Sequence, residues 1–207
     1  DLVVTPYRGR AVESPWWRTA PNPTFVEGES FARARDAVAR LKGDSHLRRA
    51  EDNPEDGFGD RMTREAVWRW VTPRWRKHLD RLVREERPDA LVVFTVPMAH
   101  LRGIPTYLRE RYDLPIVFYD GDVPMSLPEF GGMDTGFNWY HDADPGEYDL
   151  LVSNSEGGAD RLRELGARRA ETVFWGADPD FFAPAAVEKE MDVFFYGYGD
   201  KFRGDWV

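Results

Sequence analysis

A chain of 207 residues, of which 42% are hydrophobic and 14% aromatic, can bury the core of one large domain, or of one domain with part of another. Because the sequence contains no cysteine, disulfide scaffolds, thiolate metal sites and cysteine nucleophiles are excluded. The net charge of -9 disfavours nucleic acid as a partner, since phosphate backbones would be repelled.

Short apolar runs and longer segments of helical spacing alternate along the chain. The predicted strands are 2–5, 90–96, 116–119, 150–153, 172–175 and 193–196. The predicted helices are 30–41, 63–87, 103–111 and 158–165. Continuous apolar strands are typical of parallel sheets covered by helices on both faces. We therefore expect an α/β fold with a Rossmann-like, doubly wound, mostly parallel sheet, whose ligands bind at the carboxyl ends of its strands.

The longest predicted helix, 63–87, carries an apolar stripe that includes Trp70 and Trp75. At this spacing we interpret the tryptophans as core residues and not as a ligand platform. Pro73 lies within the stripe, so either the helix kinks there or a second helix begins with Thr72 as its cap.

The stretch 184–190 lacks periodicity and predicts a linker between domains. We accordingly divide the chain into a domain at 1–184, a linker at 185–190 and the truncated start of a second Rossmann-like domain at 191–207. Because a new apolar strand begins shortly before the last residue, we expect the chain to be an excerpt of a longer protein.

The most apolar run, 90–96, falls far short of the ~20 residues that span a bilayer. We therefore expect no transmembrane segment. The default compartment is the cytoplasm, with peripheral attachment to a membrane left open.

Two carboxylates, Asp120 and Asp122, follow an apolar strand with one glycine between them. Such a pair can hold Mg²⁺ or Mn²⁺ against a diphosphate, as in GT-A glycosyltransferases, and it also resembles the nucleophile loop of haloacid-dehalogenase-type phosphatases. Alternatively, Asp120 caps the turn and Asp122 faces solvent. The spacing alone leaves these alternatives open.

The segment 150–166 is predicted to be a strand that ends at Ser153, a polar turn with glycines, and a helix. Backbone N–H groups at the start of a helix can hold an anion or a sugar hydroxyl. Ser155 either caps this helix or points at a ligand.

Two of the four histidines lie where a site is expected. His100 follows the strand 90–96, and His141 lies in a loop rich in Gly and Asp. An imidazole there can act as a base or bind a hydroxyl, and a structural role is the alternative for both. His46 and His78 are interpreted as surface residues, and no pair of histidines has the spacing of a metal site.

Several segments in order resemble a known family. Residues 149–184 contain a strand, a helix ending in ELGA, and a strand leading into WGADPDFFAP, while RPDALVVF at 87–94 and LPIVFYDGD at 114–122 repeat a pattern of proline and buried strand. They resemble the amino-terminal domain of GT-B-fold glycosyltransferases of the group-1 type (family 4) or the related spore-maturation-like branch. The resemblance covers about 87–203.

This resemblance implies an enzyme that transfers a sugar from a nucleotide-sugar donor to the hydroxyl of a sugar or other acceptor, with no cofactor and no obligatory metal. It implies that Asp120 and Asp122 are the catalytic carboxylates at the mouth of an inter-domain cleft. The implied acceptor-binding residues are His100, His141, Ser153 and Ser155. The paired-glutamate motif of the donor half is absent from this sequence, so we expect the chain alone to be inactive.

The turn at 196–203 predicts contacts with the donor. Gly197 and Gly199 let a backbone approach phosphate, and Lys201 and Arg203 supply charge opposite a departing diphosphate. Alternatively, the glycines only shape a turn and the two cations are solvated. A metal-dependent transferase or phosphatase and a non-catalytic α/β binding domain remain the other functions that the sequence allows.

Overall fold

The computed structural model describes residues 1–30, 64–123, 126–127, 139–140, 142–183, 188 and 190–191. Several predicted features lie outside these residues and stay predictions. They are most of the helix 30–41, most of the linker 185–190, the strand 193–196, the candidate acceptor residue His141 and the candidate donor residues Gly197, Gly199, Lys201 and Arg203.

The strands form two parallel sheets. A small sheet pairs β1 (Val3–Val4) with β2 (Arg18–Thr19). The main sheet contains four strands, which lie side by side in chain order: β3 (Leu91–Phe94), β4 (Ile116–Asp120), β5 (Leu150–Ser153) and β6 (Ala170–Thr172). All of its pairs are parallel, which confirms an α/β fold with a parallel sheet.

Helices make the connections that parallel neighbours require. Helix α1 (Thr72–Glu86) leads into β3, α2 (Ile104–Tyr112) connects β3 with β4, and α3 (Glu156–Glu164) connects β5 with β6. The described part of the predicted helix 63–87 is helical without a break from 64 to 86. A π-helical turn, Val67–Val71, runs directly into α1.

Pro73 lies where the helix changes its hydrogen-bond pattern, and no separate helix starts there. Val71, the residue before α1, keeps helical φ and ψ angles of -82° and -54°, so the helix continues and the π-helical turn accommodates the proline. Thr72 does not cap a helix; the Thr72 hydroxyl donates instead to the carbonyl of His100 at 2.8 Å. Trp75 is buried in the core as predicted, whereas the side chain of Trp70 is 59% exposed.

One face of the main sheet carries the core. Because side chains alternate along a strand, residues in register across the sheet share a face. One such row, Val93, Phe118, Leu151 and Ala170, is buried throughout. The cluster also contains Leu79 of α1, Leu108 of α2 and Leu162 of α3. The helices therefore pack on the face that this row defines.

The opposite face is only partly covered. Val92 and Phe94 of β3 are 59% and 52% exposed, and Phe94 stacks on Tyr119 with 4.8 Å between ring centroids. The expectation of helices on both faces is therefore not met at β3 within the part of the chain that the structure describes. The four strands agree with a Rossmann-like sheet, and the doubly wound arrangement stays a prediction.

The chain divides into two compact units, 1–174 and 175–207. In the described part of the second unit, the carboxylate of Asp178 accepts a hydrogen bond from the backbone N–H of Asp180 at 2.9 Å, which closes the turn. None of the described helices combines the length and the apolar character needed to cross a bilayer.

Candidate functional site at the carboxyl edge of the sheet

The carboxyl ends of β4 and β5 bring four candidate residues to one edge of the main sheet. Asp120 and Ser153 are partners in register in the last row of the sheet. Asp122 follows Asp120 in the next turn, and Ser155 follows Ser153 at the start of α3. Ligands of open parallel sheets bind at this edge, so the arrangement makes it the candidate site.

Asp120 is completely buried and accepts three hydrogen bonds. Its Oδ2 accepts from the hydroxyls of Ser126 and Tyr140, each at 2.5 Å, and its Oδ1 accepts from the backbone N–H of Asp122 at 2.9 Å. A buried carboxylate needs such donors, because burial deprives it of water. The Asp120 side chain therefore holds the turn that follows β4 and does not face solvent.

Asp122 differs from Asp120 in both position and partners. It is half-buried, and among the described residues no cation forms an ion pair with it. Burial, and next the negative charge of Asp120, raises the pKa of the Asp122 carboxyl. A carboxylate with a raised pKa and no ion-pair partner in the described part of the chain can accept a hydrogen bond from a ligand hydroxyl or take up its proton.

Asn154 is a site residue that the sequence analysis missed. Its Nδ2 donates to the carbonyl of Gly121 at 2.8 Å and joins the turn after β4 to the turn after β5. Its Oδ1 is inaccessible to solvent and has no hydrogen-bond partner in the part of the chain that the structure describes. A buried amide oxygen without a donor costs free energy. The signal in the sequence was its position directly after an apolar strand.

The two serines predicted to bind the acceptor form the turn that begins α3. The Ser155 hydroxyl oxygen accepts from the backbone N–H of Gly158 at 3.1 Å and caps the helix. Ser153 is fully buried, and its oxygen accepts from the backbone N–H of Ser155 at 3.2 Å. Both oxygens therefore stabilise the turn, and a contact of either serine with an acceptor stays a prediction.

Gly158 provides a test of how tightly this turn packs. A Cβ at Gly158 would lie 2.2 Å from Ser153 Oγ and 2.5 Å from Val123 Cγ1, so Gly158→Ala should destabilise the protein by about 1–3 kcal/mol. Gly157, one residue earlier in α3, has nothing within 4 Å of the same position. Gly157→Ala should change stability by about 1 kcal/mol or less, in the stabilising direction. Equal denaturation midpoints for the two variants would contradict this packing.

His100 lies directly after β3, as predicted, but its ring faces the N-terminal segment. The residue is buried in the 3₁₀ turn Met98–Leu101, and its Nδ1 shares a hydrogen bond with the hydroxyl of Tyr7. Burial, and next the charge of Arg8, lowers the pKa of His100 to about 4. The neutral imidazole therefore binds the N-terminal segment through Tyr7. Its predicted contact with an acceptor stays a prediction.

His78 belongs to the same buried region, so its interpretation as a surface residue is wrong. Its Nε2 lies 3.1 Å from the hydroxyl of Thr5, and its ring meets Trp75 edge-on with 5.7 Å between centroids. Burial, and next the charge of Arg81, lowers the pKa of His78. The N-terminal segment packs on this face of α1, which is why the histidine is buried.

The buried histidine at position 100 predicts a loss of stability in acid. Its folded-state pKa of about 4 lies below the ordinary 6.5, so folding favours the neutral ring. The burial of the neutral ring therefore costs no stability above pH 6.5. As the pH falls towards 4, the unfolded chain takes up a proton that the folded protein does not, and the free energy of unfolding decreases by about 3 kcal/mol. We expect His100→Gln, which cannot take up this proton, to lose less stability than the wild type between pH 7 and pH 4 in chemical denaturation. Parallel curves would show that His100 does not titrate in this way.

The described residues contain no group of three or more His, Cys, Asp or Glu side chains placed to hold a metal ion. Both oxygens of Asp120 accept from groups of the protein, whereas the Asp122 carboxylate has no ion-pair partner among the described residues.

Comparisons with protein-family models, with curated proteins and with solved structures find no match to this chain.

Proposed function

We propose that this chain is the acceptor-side domain of a GT-B glycosyltransferase, which moves a sugar from a nucleotide-sugar donor to an acceptor hydroxyl. The observation that carries the proposal is the half-buried Asp122 carboxylate in the turn after β4, which has a raised pKa and no ion-pair partner among the described residues. Such a carboxylate suits the hydroxyl of a polyol as a hydrogen-bond acceptor. The sequence resemblance over 87–203 supports the same domain.

In this proposal the side chains at the edge divide the work. Asp122 accepts a hydrogen bond from the attacking hydroxyl, and Asn154 holds the turn before Asp122 through its hydrogen bond to the carbonyl of Gly121. Holding the acceptor oxygen in a fixed position, away from bulk water, is the main requirement of the transfer step. Asp120, Ser153, Ser155 and His100 act through the backbone that they hold.

The donor is assigned to the second domain. Its diphosphate meets the predicted donor residues Gly197, Gly199, Lys201 and Arg203, where backbone N–H groups and cations stabilise the leaving group. The reaction is proposed to need no cofactor, and the nucleotide sugar is a cosubstrate.

The charge of the edge bears on the class of acceptor. Eleven Asp and Glu residues, and no Lys or Arg, lie between Arg111 and Arg161, the stretch that contains both β4 and β5. Two of them, Asp122 and Glu156, lie in the turn after β4 and in the first turn of α3, where their negative charge repels anions. We therefore propose a neutral or positively charged acceptor, such as a sugar or amino sugar, in preference to a phosphorylated one.

The hydrogen bonds of Asp120 weigh against the alternative of a metal-dependent pair. Asp120 is completely buried, and its Oδ2 accepts from two hydroxyls at 2.5 Å, so coordination through that oxygen would have to displace one of them. No such displacement is needed for Asp122 to bind a hydroxyl.

The test is a transfer assay on the full-length protein that contains this chain. Nucleotide sugars of several bases and sugars are offered with neutral, amino and phosphorylated sugar acceptors, and release of nucleoside diphosphate is measured with and without EDTA. We expect release that depends on a neutral or amino acceptor and is insensitive to EDTA. Activity abolished by EDTA and restored by Mn²⁺ would support the metal-dependent alternative, and no release with any pair would reject a transferase.

A further inference from the structure

Two hydroxyls from distant points of the chain meet at Asp120. Ser126 comes shortly after β4, and Tyr140 comes later in the same connection to β5. Both donate to the same atom, Asp120 Oδ2, at 2.5 Å. Ser126 is completely buried, and Tyr140 is 7% exposed. The carboxylate thus ties two points of the connection to the last residue of β4.

The other oxygen of Asp120 binds the backbone of Asp122 in the candidate site. Oδ1 accepts from the backbone N–H of Asp122 at 2.9 Å, and the Asp122 carbonyl accepts from the backbone N–H of Ser126 at 3.2 Å. Because a carboxylate is planar, a donor that fixes the position of Oδ2 also fixes the position of Oδ1. The Tyr140 hydroxyl is therefore linked through one rigid group to the backbone of Asp122.

A second tyrosine shows that the protein can bury this side chain without such a bond. Tyr148 is completely buried, and its ring lies 5.2 Å from that of Phe118 on the core face of β4. Within the described residues, its hydroxyl has no hydrogen-bond partner. The two tyrosines thus differ in whether their hydroxyl is directed at Asp120.

We propose that Tyr140 is a positioning residue, which fixes the orientation of the Asp122 carboxylate through the carboxylate of Asp120. The inference rests on the proposed function for its catalytic consequence. Its structural part, the restraint on the backbone of Asp122, can be measured without any assay of activity.

The experiment compares Tyr140→Phe with Tyr148→Phe in the full-length protein. Each variant loses one buried hydroxyl and keeps its ring. We expect Tyr140→Phe to increase amide hydrogen exchange at the Asp122 N–H by about tenfold or more, because the acceptor of that bond is no longer held. Tyr148→Phe should leave this exchange within about twofold of the wild type. Equal exchange in the two variants would overturn the proposal.

Activity provides the second measurement. Tyr140→Phe should lower kcat for transfer about tenfold and leave the KM of the donor unchanged, since an acceptor oxygen out of place affects the transition state. In an Asp122→Asn background the same change should cause no further loss, because Tyr140 acts through Asp122. A tenfold loss in both backgrounds would mean a general structural effect and would overturn the proposal.

Ser126→Ala covers the case in which Tyr140→Phe fails to fold. It removes the other donor to Oδ2 and should produce the same pattern of exchange to a smaller degree. Unchanged exchange at Asp122 in Ser126→Ala would overturn the proposal. If exchange rises as expected while the wild type transfers no sugar, the positioning role of Tyr140 holds and the proposed function fails.

Discussion

Replacing Asp120 with alanine should destabilise the protein by about 3–5 kcal/mol. The change removes the acceptor for two buried hydroxyls and for the backbone N–H of Asp122, and each buried donor left without a partner costs about 1–3 kcal/mol. Since domains are stable by only about 5–15 kcal/mol, the variant should lie close to its unfolding threshold. Urea denaturation with circular dichroism measures the difference.

Asp122→Ala is the matched control for this prediction. Asp122 is half-buried, and its carboxylate holds no other described part of the chain, so its removal should change stability by about 0.5 kcal/mol or less. Asp120→Asn keeps one acceptor oxygen and should fall between the two alanine variants. Indistinguishable midpoints for Asp120→Ala and Asp122→Ala would mean that the hydrogen bonds of Asp120 do not hold the turn.

The burial of Asp120 could have been predicted from the sequence. Ile116, Phe118 and Asp120 are spaced by two residues, and in a strand this spacing puts them on one face. We expected the strand to end at Tyr119, which left Asp120 in a loop with Asp122. In the structure β4 extends by one residue, to Asp120. Asp120 is therefore buried in the sheet, whereas Asp122 is half-buried in the turn that follows.

The partners of Asp120 could not have been predicted in the same way. Ser126 and Tyr140 approach it from the connection that follows β4, where no periodic rule relates sequence position to spatial contact. The same holds for His100, whose place after β3 was predicted correctly. Its partner Tyr7 lies far away in the sequence, so the direction of its ring depends on tertiary packing.

Local patterns located the elements of the main sheet better than those of the N-terminal part. Strand 150–153 was predicted to the residue, the helix after it begins two residues before the predicted 158, and β6 begins two residues before the predicted strand 172–175, which it shares only at Thr172. The run 2–5, in contrast, forms β1 and pairs with β2, a strand of two residues that is too short to have a pattern. Pairing partners of such short strands depend on contacts that no local window contains.

Replacing Asp122 with asparagine should lower transfer by the full-length enzyme about 100-fold or more without destabilising it. The amide has nearly the shape of the carboxylate, but it cannot take up a proton and accepts the acceptor hydroxyl less strongly, so the loss should appear in kcat/KM. Burial and the charge of Asp120 raise the pKa of Asp122. The folded state therefore disfavours the charged form, and its removal should leave stability at neutral pH unchanged or slightly increased.

Asp160→Asn is the control for the loss of one negative charge. Asp160 lies exposed on α3 and pairs with Arg163, a contact of small value at a protein surface, so its replacement should change kcat/KM by about twofold at most.

In the wild type, activity should decline in acid at a pH above the ordinary range of an aspartate, because the ionised form of Asp122 is the one that accepts the hydroxyl. In Asp122→Asn this decline should disappear from the remaining activity. An unchanged acid limb in the variant, or equal rates for the two asparagine variants, would exclude Asp122 from the acceptor site, because a carboxylate that touches the reacting hydroxyl must affect both measurements.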